Sequence, residues 1–281
     1  MKFNLMHCIP NPRMHGLNGY FEVIQTVEWG LKSLGHTVSY AVNSIDPDAI
    51  NIVFGAQVLP ISLLEKLPRN TIIYNFEQIR SLRKDEIRPE VIFYAERFHI
   101  WEYCSANLET WRLLNAKETS IVPVSYAPIL TKIPKTAQDI DLLIYGTPGQ
   151  KRLEAFSFAS SMGLKVIFAS GLYGDARDEL ISRAKIVMNV NLYHVSRIFE
   201  VVRVSYLLAN SKAVVSIAEP NTYVEAGYEN AVKFVEPKAF AETVENLLGD
   251  DEKRCGLENS GFDFFSKKDV RVALQAAIEN I

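Results

Sequence analysis

The sequence is poor in cysteine and uses it sparsely. Cys8, Cys104 and Cys255 are the only three in 281 residues. No CxxC pair occurs, and an odd, scattered set argues against a disulfide framework. A reduced, cytoplasmic setting is expected. Long apolar runs are missing too. None approaches the ~20 residues of a membrane-spanning helix, and residues 1–10 are too short and polar for a signal peptide. Peripheral contact with a membrane stays open. Neither charge sign dominates: 30 Lys and Arg stand against 33 Asp and Glu, a formal net charge of −3. A nucleic-acid-backbone binder carries a basic stripe. Here the charges are interspersed, so no nucleic-acid partner is expected.

Several motifs are also absent. His7, His15, His36, His99 and His194 share no metal-ligand spacing, and no HExxH occurs. Without GxGxxG or a GK[ST] ending, the chain is neither a typical dinucleotide oxidoreductase nor a P-loop NTPase. Asp46-Pro47-Asp48 and Asp139-Ile140-Asp141 could in principle hold a divalent metal against a diphosphate. The first falls in a turn and the second precedes a strand, so both read as structural.

What is present is a regular alternation. In the first half, apolar strands are expected at 3–9, 37–42, 50–54, 71–76 and 121–125. Phe21, Ile24, Val27, Leu31 and Leu34 recur at helical spacing, and Gly35 follows as a helix stop. A short helix is expected at 60–67, and a strand then a helix within the aromatic stretch 91–114. Residues 126–136 hold two prolines and no period, which marks a linker. Beyond it, strands at 141–145, 165–169, 186–190, 213–217 and 232–235 alternate with helices at 151–162, 176–183, 198–209 and 239–248, and an amphipathic helix spans 270–278. Such alternation specifies an α/β fold: two parallel sheets in series, each with helices on both faces. The expected domains are 1–132, 138–265 and a terminal helical segment, 266–281. Ligands of such sheets lie beyond the carboxyl ends of the strands, so the loops there carry the functional candidates.

Tyr145-Gly146-Thr147-Pro148-Gly149-Gln150-Lys151-Arg152 joins a strand to a helix. Its glycines allow close approach, and a helix N-terminus with Lys151 and Arg152 favours an anion. Alternatively it is an ordinary turn with two solvated cations. His194-Val195-Ser196-Arg197-Ile198-Phe199-Glu200 opens the next helix, with Ser196 as a suitable N-cap. Glu200, one turn in, suits a ribose diol, and Arg197 suits a diphosphate. The competing reading is a local Arg197–Glu200 pair. Gly171 lies in a loop able to shape a base or sugar pocket. In the first domain, His15, Gly16, Asn18 and Gly19 form a loop able to admit a substrate, and His15 could take a proton from an acceptor hydroxyl. Glu77 follows a strand and is a second catalytic candidate. Glu102, between Trp101 and Tyr103, is a third, or else part of the packing.

The order of these features resembles the GT-B glycosyltransferases of the group 1-like superfamily. The likeness is carried by the glycine turn with Lys151 and Arg152, the Arg197-Ile198-Phe199-Glu200 segment, the strand ending in Ile217-Ala218-Glu219, and Val232-Lys233-Phe234-Val235. Gly35-His36-Thr37-Val38 fits the family's opening. The resemblance implies two Rossmann-like domains facing across a cleft, with the last helix crossing back to the first domain. It implies metal-independent transfer of a sugar from a nucleotide diphosphate sugar to an acceptor hydroxyl, with no further cofactor. Donor contacts fall on Gly146, Thr147, Lys151, Arg152, Gly171, His194, Arg197, Phe199 and Glu200, with Glu200 on the ribose or sugar and the basic residues on the diphosphate. The acceptor could be a glycan, a lipid-linked or a small molecule. The alternative is a nucleotide- or nucleotide-sugar-binding module of the same fold without catalysis.

Overall fold

The computed structural model describes residues 1–281 except 10, 12–14, 81 and 193–196, and gives the backbone alone at 15–17. The chain forms two compact units. One comprises Met1–Ala127 with Asp269–Ile281, the other Pro128–Lys268. Among the described residues no helix is long and apolar enough to cross a membrane.

The first unit is built on six parallel strands: β1 Lys2–His7, β2 Thr37–Val42, β3 Ile50–Phe54, β4 Ile72–Asn75, β5 His99–Glu102 and β6 Glu118–Ile121. Their order is β2-β1-β3-β4-β5-β6. The central strands are buried nearly throughout, as sheets covered on both faces require. The helix Phe21–Ser33 buries Val23, Ile24, Val27 and Leu31. It ends where Gly35 adopts φ +84°, with the His36 amide donating back to the Leu31 carbonyl at 3.0 Å. The helix Val270–Ile278 is capped by Asp269 and belongs to this unit. It packs on the helix Phe21–Ser33 at Gly30, where a Cβ would come within 2.6 Å of Leu274 Cδ1.

Two expectations are corrected here. The stretch expected to begin as a strand at 91 begins as the helix Pro89–Ala95, because Pro89 at the first helical position starts it. β6 precedes the apolar residues expected to form it. Pro123 has no N–H to lend a ladder, and the strand forms instead from the polar Glu118-Thr119-Ser120-Ile121 at the sheet edge.

The second unit carries β7 Ile140–Tyr145, β8 Val166–Ala169, β9 Ala184–Asn189, β10 Ala213–Ile217 and β11 Lys233–Val235. They form a parallel sheet of order β11-β10-β9-β7-β8. Helices Gln150–Ser161, Asp175–Arg183, Val201–Ala209 and Phe240–Gly249 lie between and after the strands. A further helix, Asp251–Ser266, was not expected: Gly256 and Gly261 interrupt its pattern. Gly261 is needed for packing, since a Cβ there would lie 2.8 Å from Leu208 Cδ2 and 3.1 Å from the Ala231 carbonyl. The helix expected at 198–209 starts later, at Val201.

Strand order reverses between β1 and β3 in the first sheet, and between β7 and β9 in the second. The carboxyl ends of these strand pairs are where open parallel sheets bind ligands.

Candidate functional site

At the reversal of the second sheet, one glutamate is held by two arginines. β7 runs into Gly146, whose φ of +123° suits glycine. A Cβ on Gly146 would lie 2.8 Å from Nη2 of Arg203 and 2.9 Å from Nη1 of Arg152. Gly146 therefore leaves room for two guanidinium groups. Arg152 sits in the first turn of the helix Gln150–Ser161 and is 1% exposed. Its Nε donates to the Val190 carbonyl at 2.8 Å, and its Nη1 to the Thr147 carbonyl at 2.8 Å. Its Nη2 donates to both carboxylate oxygens of Glu200, at 3.0 and 3.1 Å. Arg203, one turn along from Glu200, reaches Oε2 of the same carboxylate at 2.8 Å, and the Leu192 amide donates to Oε1 at 3.3 Å.

These partners tie the loops after β7 and β9 together. Burial, followed by the neighbouring Arg203, lowers the Arg152 guanidinium to about 10, so it stays charged at neutral pH. Two guanidinium charges against one carboxylate leave a positive surplus beside a helix N-terminus, which favours an anion. Lys151 pairs with Glu219 at 2.6 Å, bringing the loop after β10 to the same strand ends.

The first sheet carries a polar cluster at its own reversal. Gln57, just beyond β3, donates to the Tyr20 hydroxyl at 3.1 Å and to Oε1 of Glu77 at 2.9 Å. Burial raises the Glu77 carboxyl, against the pull of Arg88 and the Gln57 hydrogen bond, and also raises the Tyr20 phenol. Tyr20 and Phe76 stack at 5.2 Å between ring centroids. The residue type alone did not single out Tyr20 or Gln57, because they meet Glu77 only through the sheet.

No protein-family model and no curated protein matches the chain. Solved structures do. HepE of Anabaena, in complex with UDP and glucose, matches with a TM-score of 0.61 at 11% identity, over 100% of this chain and 99% of that one. Sucrose-phosphate synthase from Thermosynechococcus elongatus gives 0.60 at 11% identity, over 100% and 98%. BGT of phage T4, in complex with its UDP-glucose substrate, gives 0.60 at 14% identity, over 100% and 99%. The fold is that of the GT-B glycosyltransferases.

Within this GT-B-like fold, Gly146, Thr147, Arg152 and Glu200 meet at the second sheet's reversal, with Lys151 beside them. Three details differ from expectation. Glu200 stands at the N-cap position rather than one turn into its helix. Its carboxylate is shared by Arg152 and Arg203, and Arg203 was not among the candidates. Arg152 is turned inward onto protein acceptors. Phe199 is also corrected: it is 4% exposed and packs against Tyr228 and Phe234, so it supports the helix from beneath. The backbone of Arg197 and Phe199 pairs with Tyr223. Gly171 takes φ +72° in the loop after β8. His194 and Ser196 lie outside the described residues.

In the first unit, residues 15–20 form a 3₁₀ turn beyond β1 rather than an open loop. It includes Gly16, Asn18 and Gly19, and the side chain of His15 lies outside the description. Glu102 is corrected outright. It is 0% exposed, so it meets no substrate. Oε1 accepts from the Cys104 amide and Asn107, and Oε2 from Asn75 and the Trp111 indole, at 2.6–3.0 Å. Burial raises this carboxyl to about 8, and the four donors oppose the rise. Its role is to position: Asn75 and Asn107 also donate to the Glu77 carbonyl, at 3.2 and 2.9 Å. Both Asp-x-Asp pairs make ion pairs with nearby lysines and arginines. Asp46 binds Lys2, Asp139 binds Lys165 and Arg183, and Asp141 binds Lys185.

Proposed function

We propose that the chain is a glycosyltransferase. It moves a sugar from a nucleotide diphosphate sugar to an acceptor hydroxyl without a metal, and the second unit holds the donor. The observation that carries this reading is the carboxylate–diguanidinium group at the β7/β9 reversal of a GT-B sheet. A carboxylate can accept both hydroxyls of a ribose, and guanidinium groups pair with phosphate oxygens. The leaving diphosphate gains negative charge as the glycosidic bond breaks. Fixed cations and helix amides stabilise that charge in place, which is the role proposed for a metal-free site.

His15 and Glu77 are the residues proposed to take the acceptor's proton. Burial holds the Glu77 carboxyl above the usual glutamate range, toward working pH. The acceptor hydroxyl belongs to a glycan, a lipid-linked molecule or a small molecule. UDP-sugars come first as donors, because HepE and BGT were solved with UDP or UDP-glucose.

Calorimetry over nucleoside diphosphates tests the donor site. Saturable binding of one of them is expected, with Glu200→Gln weakening it while the protein stays folded. Unchanged affinity in that variant would remove Glu200 from the site.

A further inference from the structure

The two arginines that share Glu200 differ in what they have left to offer. A guanidinium presents five N–H donors. Arg152 spends all three of its nitrogens on protein: Val190, Thr147 and the two oxygens of Glu200. Its side chain is 2% exposed. Arg203 is placed otherwise. Among the described residues its one acceptor is Oε2 of Glu200. Its side chain is 18% exposed and lies over the Tyr145 ring at 5.3 Å. Its Nη2 sits over Gly146, at the mouth of the turn that opens the helix Gln150–Ser161.

We propose that Arg203 binds the donor's diphosphate, and that Arg152 is a positioning residue that keeps Glu200 in place while it does so. The proposal rests on the donor-site reading above and assigns its anion contact to a residue outside the Lys151, Arg152 and Arg197 set. Arg203 has donors in reserve and a partly exposed side chain beside the Gly146 turn. A diphosphate there meets a planar fork that can take two oxygens at once. When Arg203 turns to phosphate, Oε2 of Glu200 gains capacity for the ribose hydroxyls. Arg152 and the Leu192 amide still hold the carboxylate. One side-chain movement thus serves both halves of the nucleotide, and it requires the diphosphate. A nucleoside alone offers nothing for Arg203 to turn to.

The test compares nucleoside diphosphates (UDP, ADP, GDP, CDP) with the matching nucleosides. Calorimetry serves the diphosphates and NMR titration the weaker nucleosides. The variants are Arg203→Gln and Arg203→Lys. Arg203→Gln leaves Glu200 paired with Arg152, so its melting temperature should stay near wild type. It should lose diphosphate affinity by about tenfold to a hundredfold, the worth of a charge-assisted bidentate contact. Nucleoside affinity should hold or rise, since the variant leaves Oε2 of Glu200 open to the ribose hydroxyls. Arg203→Lys should recover part of the loss, as a point charge without the fork. An unchanged ratio of diphosphate to nucleoside affinity in Arg203→Gln, whether both hold or both fall, overturns the assignment while leaving the donor site standing. Wild type that binds no diphosphate overturns the donor-site reading itself, and this assignment with it.

Discussion

Both oxygens of Glu200 are bonded to a single nitrogen of Arg152, at 3.0 and 3.1 Å. The carboxylate comes from the N-cap of one helix and the guanidinium from the first turn of another. The pair therefore fixes the loop after β9 to the loop after β7, at the end of the sheet where open parallel sheets bind ligands. If Glu200 takes the ribose as proposed, a carboxylate set in advance loses less side-chain entropy on binding than a mobile one.

Removing Arg152 should destabilise the second unit. Arg152→Met takes a donor from the Val190 and Thr147 carbonyls and leaves Glu200 with Arg203 and the Leu192 amide. A loss of about 3 kcal/mol is expected, the low end for breaking a buried pair, because Arg203 remains. Urea denaturation followed by circular dichroism measures it.

Gly146→Ala should cost both stability and binding. The position requires φ +123°, and the new Cβ meets two guanidinium nitrogens within 3 Å. Backbone strain of this kind costs about 1–3 kcal/mol. A lowered melting temperature together with weakened diphosphate binding is the expected pair of results.

Glu102 should behave as a residue of the fold. Glu102→Ala leaves Asn75, Asn107, Trp111 and the Cys104 amide without their acceptor, at about 3 kcal/mol or more by the cost of orphaned buried donors. Its titration has a sign. A carboxyl raised in the fold from 4.5 to about 8 contributes stability that is complete below the lower value and is lost as pH rises through the upper one. Between about pH 6 and about pH 9, wild type should lose more stability than Glu102→Gln, whose side chain does not ionise. Denaturant midpoints at the two pH values check this.

Gly261→Ala should strain the seam between the helices Asp251–Ser266 and Val201–Ala209. Leu208 and the Ala231 carbonyl stand where the methyl group would go. Overpacking costs about 1–3 kcal/mol, read as a lower melting temperature.

Much of the fold was legible because strand and helix periods differ. Runs such as Ile50–Phe54 and Ala213–Ile217 are apolar but for Asn51 and Ser216 and bounded by turns, and they form strands where expected. The helix Asp251–Ser266 was not legible: its glycines serve packing between helices, which no local pattern reveals. The site was half legible. Glycines and charges at strand ends pointed to Gly146, Arg152 and Glu200. The Glu200–Arg203 pair has the same i,i+3 spacing considered for Arg197 and Glu200, so a local signal for Arg203 existed. The inward turn of Arg152 and the meeting of Tyr20, Gln57 and Glu77 depend on contacts far apart in the chain. Glu102 shows the reverse error. A carboxylate flanked by aromatics at a strand end resembles a catalytic group until its four donors are seen.

Donor turnover tests sugar transfer most directly. The wild-type protein would be incubated with UDP-glucose and a panel of other nucleotide sugars, each with and without a divalent-metal chelator, and release of nucleoside diphosphate and free sugar would be followed. Slow hydrolysis of one donor is expected, unchanged by the chelator and slowed about tenfold or more by Arg203→Gln. Tight binding of the nucleotide with no release from any donor would contradict it, and would make the chain a nucleotide-binding module on a glycosyltransferase fold.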